Sequence, residues 1–372
     1  MSMNDIKIIS AIENNLSKGK FVIFPFGKWG KRVKLLLNKK YGIQEIAIVD
    51  NNLSKTSADI LSIHDVKNIK DQNYVVLFAV ADRDAYSDLL TQLAVFPENS
   101  VCDIASIECS SNYFSMCSDK MQIEDCNDEQ LTAIFNRTRK TWSQLGSSQP
   151  YWSVLTDKKF LLENMDEKEK IEFYESGRGS CKAIIQTLIR NDVIKDKSAA
   201  KDLEIIEIGC GTGRVTKHLA QMFKKVTAID VSKGNMEVAA SVVQDMNVSF
   251  CLFEGIEDYN NLPKADIVYS IIVLQHNVPP VIKCILNAML RALKPGGIAY
   301  FQVPTYQELY EFRFEEYMAD SHLGKIEMHP LSQKSIFEIA YVNGCIPMEV
   351  YQDKLCSPDN YSCTFVMKKI HE

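Results

Sequence analysis

An apolar run that turns into a glycine-rich stretch constrains the fold of this chain more than any other segment. Residues 203–214 read LEIIEIGCGTGR, with apolar side chains placed as in a buried strand. The turn contains Gly209, Gly211 and Gly213, and apolar residues at helical spacing follow it. The sequence therefore predicts a strand, a tight turn and a helix. Glycines allow positive φ angles and the start of a helix offers unpaired N–H groups, so this turn suits close contact with a ligand.

The length and charge of the chain narrow the function classes. With 372 residues, the chain is long enough for about two or three ordinary domains. The formal net charge of −6 gives no electrostatic signature of a nucleic-acid or anionic-membrane partner, so we expect small or neutral partners. The eleven cysteines form no CxxC pair and lie at no zinc-like spacing from histidines, which predicts neither a metal site nor disulfides. Since no apolar run has membrane-spanning length, we expect a cytoplasmic protein.

A second strand–turn–helix pattern near the N terminus predicts a separate α/β domain. The apolar stretch FVIFPF precedes Gly27 and Gly30, and a second strand over 45–49 ends on Asp50. This distance suits a unit in which the acid holds a ribose hydroxyl. Pro25 stands where the dinucleotide motif has its first glycine, which disfavours NAD-linked redox chemistry. Two interpretations remain open: a nucleotide-binding domain, and a domain that docks a partner or scaffolds the enzyme.

A serine-, asparagine- and aspartate-rich stretch separates the two patterns. It covers 102–126 without sustained periodicity, so we expect domains at 1–126 and 127–372. Between Phe160 and Ile189 the sequence predicts two acidic helices joined by FYESGRGS. Arg178 in that joint is a candidate partner for a ligand carboxylate, and a helix C-terminal turn with a solvated arginine is the alternative.

Two further strands are expected to end in polar residues at the same edge of a sheet. The strand after the glycine turn ends on Asp230, whose carboxylate can accept hydrogen bonds from both ribose hydroxyls. An apolar strand predicted over 267–274 leads to His276. An imidazole there can accept a proton from a substrate hydroxyl, because its ordinary pKa is near neutrality. A packed or capping histidine is the alternative.

Together these motifs resemble the class I S-adenosylmethionine-dependent methyltransferases. The stretches that carry the resemblance, in family order, are EIGCGTG at 207–213, AID at 228–230, FEGIED at 253–258, ADIVYSIIVLQHN at 265–277 and LKPGGIAYFQVP at 293–304. The resemblance implies S-adenosyl-L-methionine as the cofactor. It also implies a seven-stranded sheet that ends in an antiparallel edge strand.

The same resemblance assigns roles to individual residues. It places Glu207 near the amino-acid part of the cofactor and Asp230 on the ribose, while Gly209, Gly211 and Gly213 wrap the cofactor backbone. It places Ile256 and Glu257 beside the adenine. Many members of the family have Gly-Asp at a position where this chain has Gly255-Ile256, so Glu257 is a candidate substitute for the aspartate.

An aromatic insertion at 305–330 is the least generic segment of the second half. Its aromatic residues are Tyr306, Tyr310, Phe312, Phe314 and Tyr317, and it closes on Glu327, Met328 and His329. We expect it to form a wall over the acceptor, since aromatic faces suit sugar rings or planar groups. An amphipathic helix packed on the domain or on a second copy is the alternative. His329 is a second candidate for the base.

The first hundred residues resemble the Rossmann-type nucleotide-binding domains that precede sugar-modifying enzymes in bacterial glycan pathways. We expect two Rossmann-like, doubly wound α/β domains. For the second domain, the resemblance to the methyltransferases implies O-methylation of a small acceptor. The resemblance of the first hundred residues implies a saccharide or sugar nucleotide in surface polysaccharide synthesis, and a homo-oligomer is compatible with it. N- or C-methylation of a natural-product-like or quinone-like acceptor, and a non-catalytic scaffold, are the alternatives.

Overall fold

The chain divides into two compact units, each described here by itself. The computed structural model describes residues 3–71, 73–80, 83–97, 100–107, 120–320, 326–356 and 361–370. The first unit comprises Met1–Gln122 with Gln307–Tyr310, and the second comprises Ile123–Tyr306 with Glu311–Glu372. Much of the predicted connecting stretch, at 108–119, lies outside the described residues, as do 321–325 of the aromatic insertion.

The first unit contains a four-stranded parallel sheet in the order β2-β1-β3-β4. Every residue of β1 and β3 is buried, as expected for parallel strands covered on both faces. The strand predicted over 45–49 is shorter than expected, because only Ala47 and Ile48 pair with β1. The strands are β1 (Phe21–Phe24), β2 (Ala47–Ile48), β3 (Val75–Phe78) and β4 (Val101–Asp103). The helices are α1 (Met3–Glu13), α2 (Lys28–Tyr41) and α3 (Arg83–Leu90).

In the first unit, Asp50 follows β2 as expected, and its carboxylate bonds to the backbone. One oxygen accepts the N–H of Phe26, in the turn after β1, at 3.0 Å. The other accepts the N–H groups of Asn52 and Leu53, both at 2.9 Å. The acid thus holds the turn after β1 next to the turn after β2.

A buried ion network includes the segment 307–310 in the first unit. Arg32 donates to both carboxylate oxygens of Asp5, at 2.8 and 2.9 Å, and to the carbonyl oxygen of Glu308 at 2.7 Å. Lys40 donates to the Glu308 carboxylate at 2.6 Å. Both carboxylates are fully buried, so each requires such a cationic partner. The predicted insertion at 305–330 is therefore divided between the two units.

The second unit contains a seven-stranded sheet in the order β12-β13-β10-β9-β6-β7-β8. The pairings from β10 to β8 are parallel, and β13 lies antiparallel between β10 and β12, which confirms the predicted mixed sheet with an antiparallel edge. The strands of this sheet are β6 (Glu204–Ile208), β7 (Lys225–Asp230), β8 (Val248–Leu252), β9 (Ala265–Ser270), β10 (Leu293–Tyr306), β12 (Cys345–Gln352) and β13 (Tyr361–Lys369). Two short strands, β5 (Gln122–Ile123) and β11 (Glu311–Phe312), lie outside it.

The second unit also contains α-helices. They are α4 (Asp128–Ser148), α5 (Pro150–Val154), α6 (Glu167–Arg190), α7 (Thr216–Met222), α8 (Lys233–Val242), α9 (Pro279–Arg291), α10 (Phe314–Ala319) and α11 (Gln333–Val342). The isoleucines of β6 are each 1% exposed, as the apolar run predicts. In the described part of the chain, no helix has the length and apolarity needed to cross a bilayer.

The two helices predicted between Phe160 and Ile189 are wrong, because α6 is continuous through FYESGRGS. Neither glycine of this stretch ends the helix, and Gly177 is required by packing. A Cβ on Gly177 would lie 2.1 Å from the carbonyl oxygen of Arg214, so only glycine allows this close approach. Each helical glycine costs about 1 kcal/mol, which burial of the apolar face of α6 offsets. Arg178 is exposed and pairs with Glu175 at 2.8 Å. It is therefore the solvated arginine of the alternative interpretation, although it lies within a continuous helix and not in a C-terminal turn.

The strand predicted over 267–274 is wrong beyond Ser270, where β9 ends. Ile272 adopts a φ of 58°, a left-handed conformation that is rare for a β-branched residue. Its N–H donates to the side-chain oxygen of Gln302 at 3.1 Å, and Leu274–His276 then form a short 3₁₀ helix. The apolar run continues past the strand because these residues line a cavity.

Candidate active site

A cavity of about 510 Å³ opens at the carboxyl edge of the seven-stranded sheet. The turn after β6 and the ends of β7 and β9 form its floor. One face of α4, together with segments around residues 154, 327 and 355, forms its walls. Parallel sheets bind their ligands at this edge, so the cavity is the natural candidate for the site.

The glycine turn has the backbone that the sequence predicts. Gly209, Gly211 and Gly213 have φ angles of 76°, 54° and 80°. A Cβ on Gly209 would lie 2.2 Å from Val273, and one on Gly211 would lie 2.6 Å from Val154. Gly209 and Gly211 line the cavity, whereas the missing Cβ of Gly213 points toward α8 and away from the described lining. The first two glycines thus bring backbone next to any ligand.

Glu207, at the end of β6, places a buried carboxyl group in the cavity. One of its oxygens accepts a hydrogen bond from the Thr216 hydroxyl at 2.6 Å. Burial raises the pKa of Glu207 to about 8, which the Thr216 hydrogen bond and the Arg214 charge partly counteract. Because a nearby cation favours the ionised form, this carboxyl suits a ligand ammonium group.

Asp230, at the end of β7, lies in the same cavity with both oxygens fixed. One oxygen accepts the Gly211 N–H at 2.8 Å and the other accepts the Ser232 N–H, also at 2.8 Å. Each oxygen keeps a second lone pair, so the pair can accept from two vicinal hydroxyls. Burial raises the pKa of Asp230, and hydrogen bonds from backbone N–H groups act in the opposite direction.

The residues expected beside the adenine lie next to the cavity and not in its described lining. Ile256 is buried in a short 3₁₀ helix, Ile256–Asn261, and Glu257 is exposed. Tyr259 of the same helix lines the cavity and packs against Phe135 of α4, with ring centroids 6.0 Å apart. The assignment of Ile256 and Glu257 to the adenine stays a prediction.

His276 lies in the cavity, in the short 3₁₀ helix that follows β9, and contacts Trp142 of α4 at a centroid distance of 4.9 Å. Its Nδ1 lies 2.8 Å from the carbonyl oxygen of Glu327. A carbonyl only accepts, so in the neutral ring Nδ1 carries the proton and Nε2 holds the lone pair. Burial lowers the pKa of His276 to about 4, so the ring is neutral near pH 7.

The second candidate base, His329, lies outside the described lining of the cavity. Its Nε2 is 3.3 Å from the carboxylate of Glu327, which also accepts from the Tyr317 hydroxyl at 3.0 Å. The guanidinium of Arg137 stacks on the Tyr317 ring at 4.1 Å. Although burial by itself raises the pKa of Glu327, its bonds to His329 and Tyr317 and the Arg137 charge lower it. This cluster holds the segment whose carbonyl fixes the His276 ring.

The aromatic insertion contributes other residues to the cavity than those expected. Its described lining residues are Ile326 and Met328, whereas Tyr317 lines a smaller cavity of about 10 Å³ that also includes Trp142 and His276. The aromatic contact at His276 comes from α4, more than a hundred residues earlier in the chain.

Residues 205–297 match the family model of a methyltransferase domain. This stretch carries the glycine turn, Asp230 and His276. The chain therefore contains a methyltransferase domain, and S-adenosylmethionine is the cofactor of that domain.

Curated relatives match a part of the chain. The ubiquinone biosynthesis O-methyltransferase of Rickettsia bellii is 33% identical over 99 residues, which cover 26% of this chain and 40% of that protein. The malonyl-[acyl-carrier protein] O-methyltransferase of Acetivibrio thermocellus is 28% identical over 182 residues, covering 48% and 62%. The chain thus spans less than two thirds of the length of these relatives. Magnesium protoporphyrin IX methyltransferase from Synechocystis PCC 6803, solved with bound S-adenosylhomocysteine, is 14% identical with a TM-score of 0.42, covering 61% of this chain and 97% of that one.

The residues of the methyltransferase domain fit the cofactor chemically. The glycine turn offers backbone N–H groups, Asp230 offers acceptors for a ribose, and Glu207 offers a carboxylate for an ammonium. Arg214 lines the cavity one residue after the turn, and its buried Nε–H donates to no group in the described part of the chain. Arg214 is therefore a candidate partner for the cofactor carboxylate, the role for which the sequence indicates Arg178. Among the described residues no group of His, Cys, Asp and Glu gathers as metal ligands would.

One face of α4 is the part of the candidate site that sequence reasoning missed. Phe135, Thr138, Arg139 and Trp142 line the cavity at positions i, i+3, i+4 and i+7. This spacing marks one helix face, but the sequence alone does not show which surface that face covers. The loop after β12, which supplies residues 354–356 to the wall, carries no local signal either.

Proposed function

We propose that this chain transfers the methyl group of S-adenosylmethionine to an oxygen of a saccharide or sugar nucleotide in bacterial surface glycan biosynthesis. One observation carries the methyl-transfer part of this proposal. A single cavity joins the left-handed glycine turn and Asp230 to a histidine whose ring orientation is fixed by a hydrogen bond. The cofactor supplies an activated methyl group. The protein must therefore bind the cofactor and the acceptor, align them and accept a proton.

His276 is proposed to accept the proton of the attacking hydroxyl. Its Nδ1–H is directed to Glu327, which leaves the Nε2 lone pair as the acceptor. The side-chain N–H of Gln275 donates to this lone pair over a long distance of 3.4 Å, so the acceptor hydroxyl is proposed to replace it, and the Gln275 side-chain oxygen accepts from Gln302 at 3.0 Å. A base with a pKa of about 4 is weak, so alignment of the acceptor is proposed to contribute more than proton removal.

The saccharide acceptor rests on the first unit of the chain. We propose that residues 1–126 and 127–372 form two Rossmann-like domains and that the first resembles those of glycan-modifying enzymes. The four-stranded parallel sheet with Asp50 after its second strand supports this proposal. The argument is one of analogy between folds and is therefore tested directly on acceptors.

An aromatic, quinone-like acceptor is the second candidate. The apolar lining by Ile271, Val273 and Met328, with Trp142 beside His276, favours a planar acceptor. The relatives named as O-methyltransferases favour oxygen as the methylated atom in either case. N- or C-methylation would appear as the corresponding product in the same assay.

The test is mass spectrometry of candidate acceptors after incubation with full-length protein and S-adenosylmethionine. One panel holds nucleoside-diphosphate sugars and the other holds catechols and hydroquinones. The proposal predicts a mass gain of one methylene unit on a sugar nucleotide, with fragmentation that places it on oxygen. Product only from the catechol panel would replace the saccharide by the second candidate. Cofactor binding without any product would favour the non-catalytic alternative, and no binding at millimolar S-adenosylhomocysteine would overturn the methyltransferase assignment.

A further inference from the structure

We infer that Arg139 forms an anion-binding subsite in the cavity that recognises a negatively charged group on the acceptor, with the diphosphate of a sugar nucleotide as the favoured source. This inference rests on the proposed function and makes its acceptor class more specific. It depends on the hydrogen-bonding state of the lining, on its charge and on the position of Arg139 along α4.

Two buried arginine donors of this cavity have no hydrogen-bond partner in the described part of the chain. They are Arg139 Nε and Arg214 Nε, both from residues of the lining. A buried donor on a cation is costly when it remains unpaired, more so than a neutral one. Acceptor atoms on ligands are therefore the expected partners of both arginines.

The charge of the lining indicates the sign of the ligand. The described lining carries three cationic side chains, Arg139, Arg214 and Lys354, against two carboxyl groups, Glu207 and Asp230. S-adenosylmethionine adds one further positive charge, since its ammonium and sulfonium outweigh its single carboxylate, whereas S-adenosylhomocysteine lacks the sulfonium and leaves the net charge unchanged. One cation is enough for that carboxylate. A cavity with the cofactor bound is therefore positive and favours an anionic second ligand.

The position of each arginine decides which ligand it serves. Arg214 follows the glycine turn and its charge acts on Glu207, so it belongs to the amino-acid end of the cofactor. Arg139 lies on the lining face of α4 between Phe135 and Trp142. Trp142 contacts His276, the proposed base, which places Arg139 one helical turn from the reacting end. The second arginine is thus assigned to the acceptor.

The chemistry of arginine fits an oxyanion acceptor. A guanidinium presents a planar fork of N–H donors that binds phosphate or carboxylate oxygens in pairs. Lys354, exposed on the loop after β12, adds a second positive charge at the wall. A diphosphate can interact with both Arg139 and Lys354, whereas a single carboxylate interacts with the Arg139 guanidinium alone. Comparing the affinities of the two anions therefore distinguishes them.

The test is calorimetry on the full chain saturated with S-adenosylhomocysteine, with inorganic pyrophosphate as the probe and 4-hydroxybenzoate as the carboxylate arm. Arg139→Gln is expected to weaken pyrophosphate binding about 10- to 100-fold, the range of a charged hydrogen-bonded pair, and Arg139→Lys by less. Lys140→Gln is the matched control, because it removes the same charge from an exposed neighbour on α4 that is not in the lining. The pyrophosphate affinity of Lys140→Gln is expected to stay within about twofold of wild type, since surface charges contribute little.

Three results overturn the inference. Equal pyrophosphate affinity in wild type and Arg139→Gln removes Arg139 from the subsite. Loss of S-adenosylhomocysteine affinity in Arg139→Gln would assign Arg139 to the cofactor. Tighter binding of 4-hydroxybenzoate than of pyrophosphate would replace the diphosphate by a carboxylate. If Arg139→Gln does not fold, Arg139→Lys carries the comparison. Wild-type protein that binds no S-adenosylhomocysteine contradicts the proposed function itself, which keeps the two failures distinct.

Discussion

The two strand–turn–helix units of this chain share one hydrogen-bond arrangement and differ in the backbone of the turn. In each unit an aspartate after the second strand accepts an N–H from the turn after the first. Asp50 accepts from Phe26 at 3.0 Å, and Asp230 accepts from Gly211 at 2.8 Å. The acid after the second strand therefore has a structural task in both units, whether or not it also meets a ligand.

The turns themselves are unlike. The second unit uses glycines with φ angles of 54° to 80°, two of which face the cavity. In the first unit Gly27 has a φ of −71°, open to any residue, and a Cβ on Gly30 would lie 2.2 Å from the Pro25 carbonyl oxygen. One glycine there is unconstrained and the other allows helix and strand to pack. Left-handed glycines next to a cavity, more than the βαβ pattern, distinguish a ligand turn from a packing turn.

The largest effect is expected from adding a methyl group in the ligand turn. Gly209→Ala puts a Cβ at 2.2 Å from Val273 on a backbone with positive φ, so we expect S-adenosylhomocysteine affinity to fall about 100-fold. Gly27→Ala is the matched control, because nothing lies within 4 Å of its Cβ. Calorimetry and thermal melting of both variants check this. Normal cofactor binding by Gly209→Ala would remove the distinction between the turns.

Loss of the proposed base is expected to affect turnover alone. His276→Ala should lower kcat about 100-fold and leave S-adenosylhomocysteine affinity nearly intact, and His329→Ala should lower kcat by less because His329 acts through Glu327. The base must be neutral to act. Since the pKa of His276 is lowered to about 4, its neutral form prevails above that pH, and turnover should not decline between pH 8 and pH 6 through this group. Full turnover in both variants would show that neither histidine is the base.

Glu207 is expected to make the stability of the unliganded protein depend on pH. The folded carboxyl holds its proton up to about pH 8, whereas the unfolded one releases it near 4.5. The folded state thus binds more protons in this interval, and its free energy of unfolding falls as pH rises, by up to about 1.4 kcal/mol per pH unit. Glu207→Gln should flatten this slope in denaturant titrations. An unchanged slope would contradict a raised pKa of the buried Glu207 carboxyl group.

The smallest effect is expected at a glycine without close neighbours. Gly179 of α6 has nothing within 4 Å of its Cβ, so Gly179→Ala should raise the free energy of unfolding by up to about 1 kcal/mol. Gly177→Ala, two residues earlier, should destabilise the protein by about 1–3 kcal/mol because of the Arg214 carbonyl. Equal effects of the two substitutions would show that the packing of α6 is looser than described.

The elements of the fold that a short stretch of sequence determines could be predicted. Isoleucines before the glycine turn predict β6, and the apolar run that ends on Asp230 predicts β7 and places this acid at its end. The contacts that complete the site join distant stretches. His276 meets Glu327 and Trp142 only because an insertion and α4 converge at the sheet edge, which periodicity does not encode. Gly177 of α6 misled the prediction, because it is required by packing against the Arg214 carbonyl, which lies far away in sequence.

The most direct test of this account is calorimetric titration of S-adenosylhomocysteine into wild type, Asp230→Asn and Asp50→Asn. Asparagine has the same shape as aspartate but lacks its charge. Each substitution changes the acid of one unit and leaves the other unit unaltered. We predict one site per chain in wild type, unchanged affinity in Asp50→Asn and affinity about tenfold or more weaker in Asp230→Asn, because the amide loses charged acceptors for the ribose. Loss of binding in Asp50→Asn with full binding in Asp230→Asn would place the cofactor in the first unit and contradict the account.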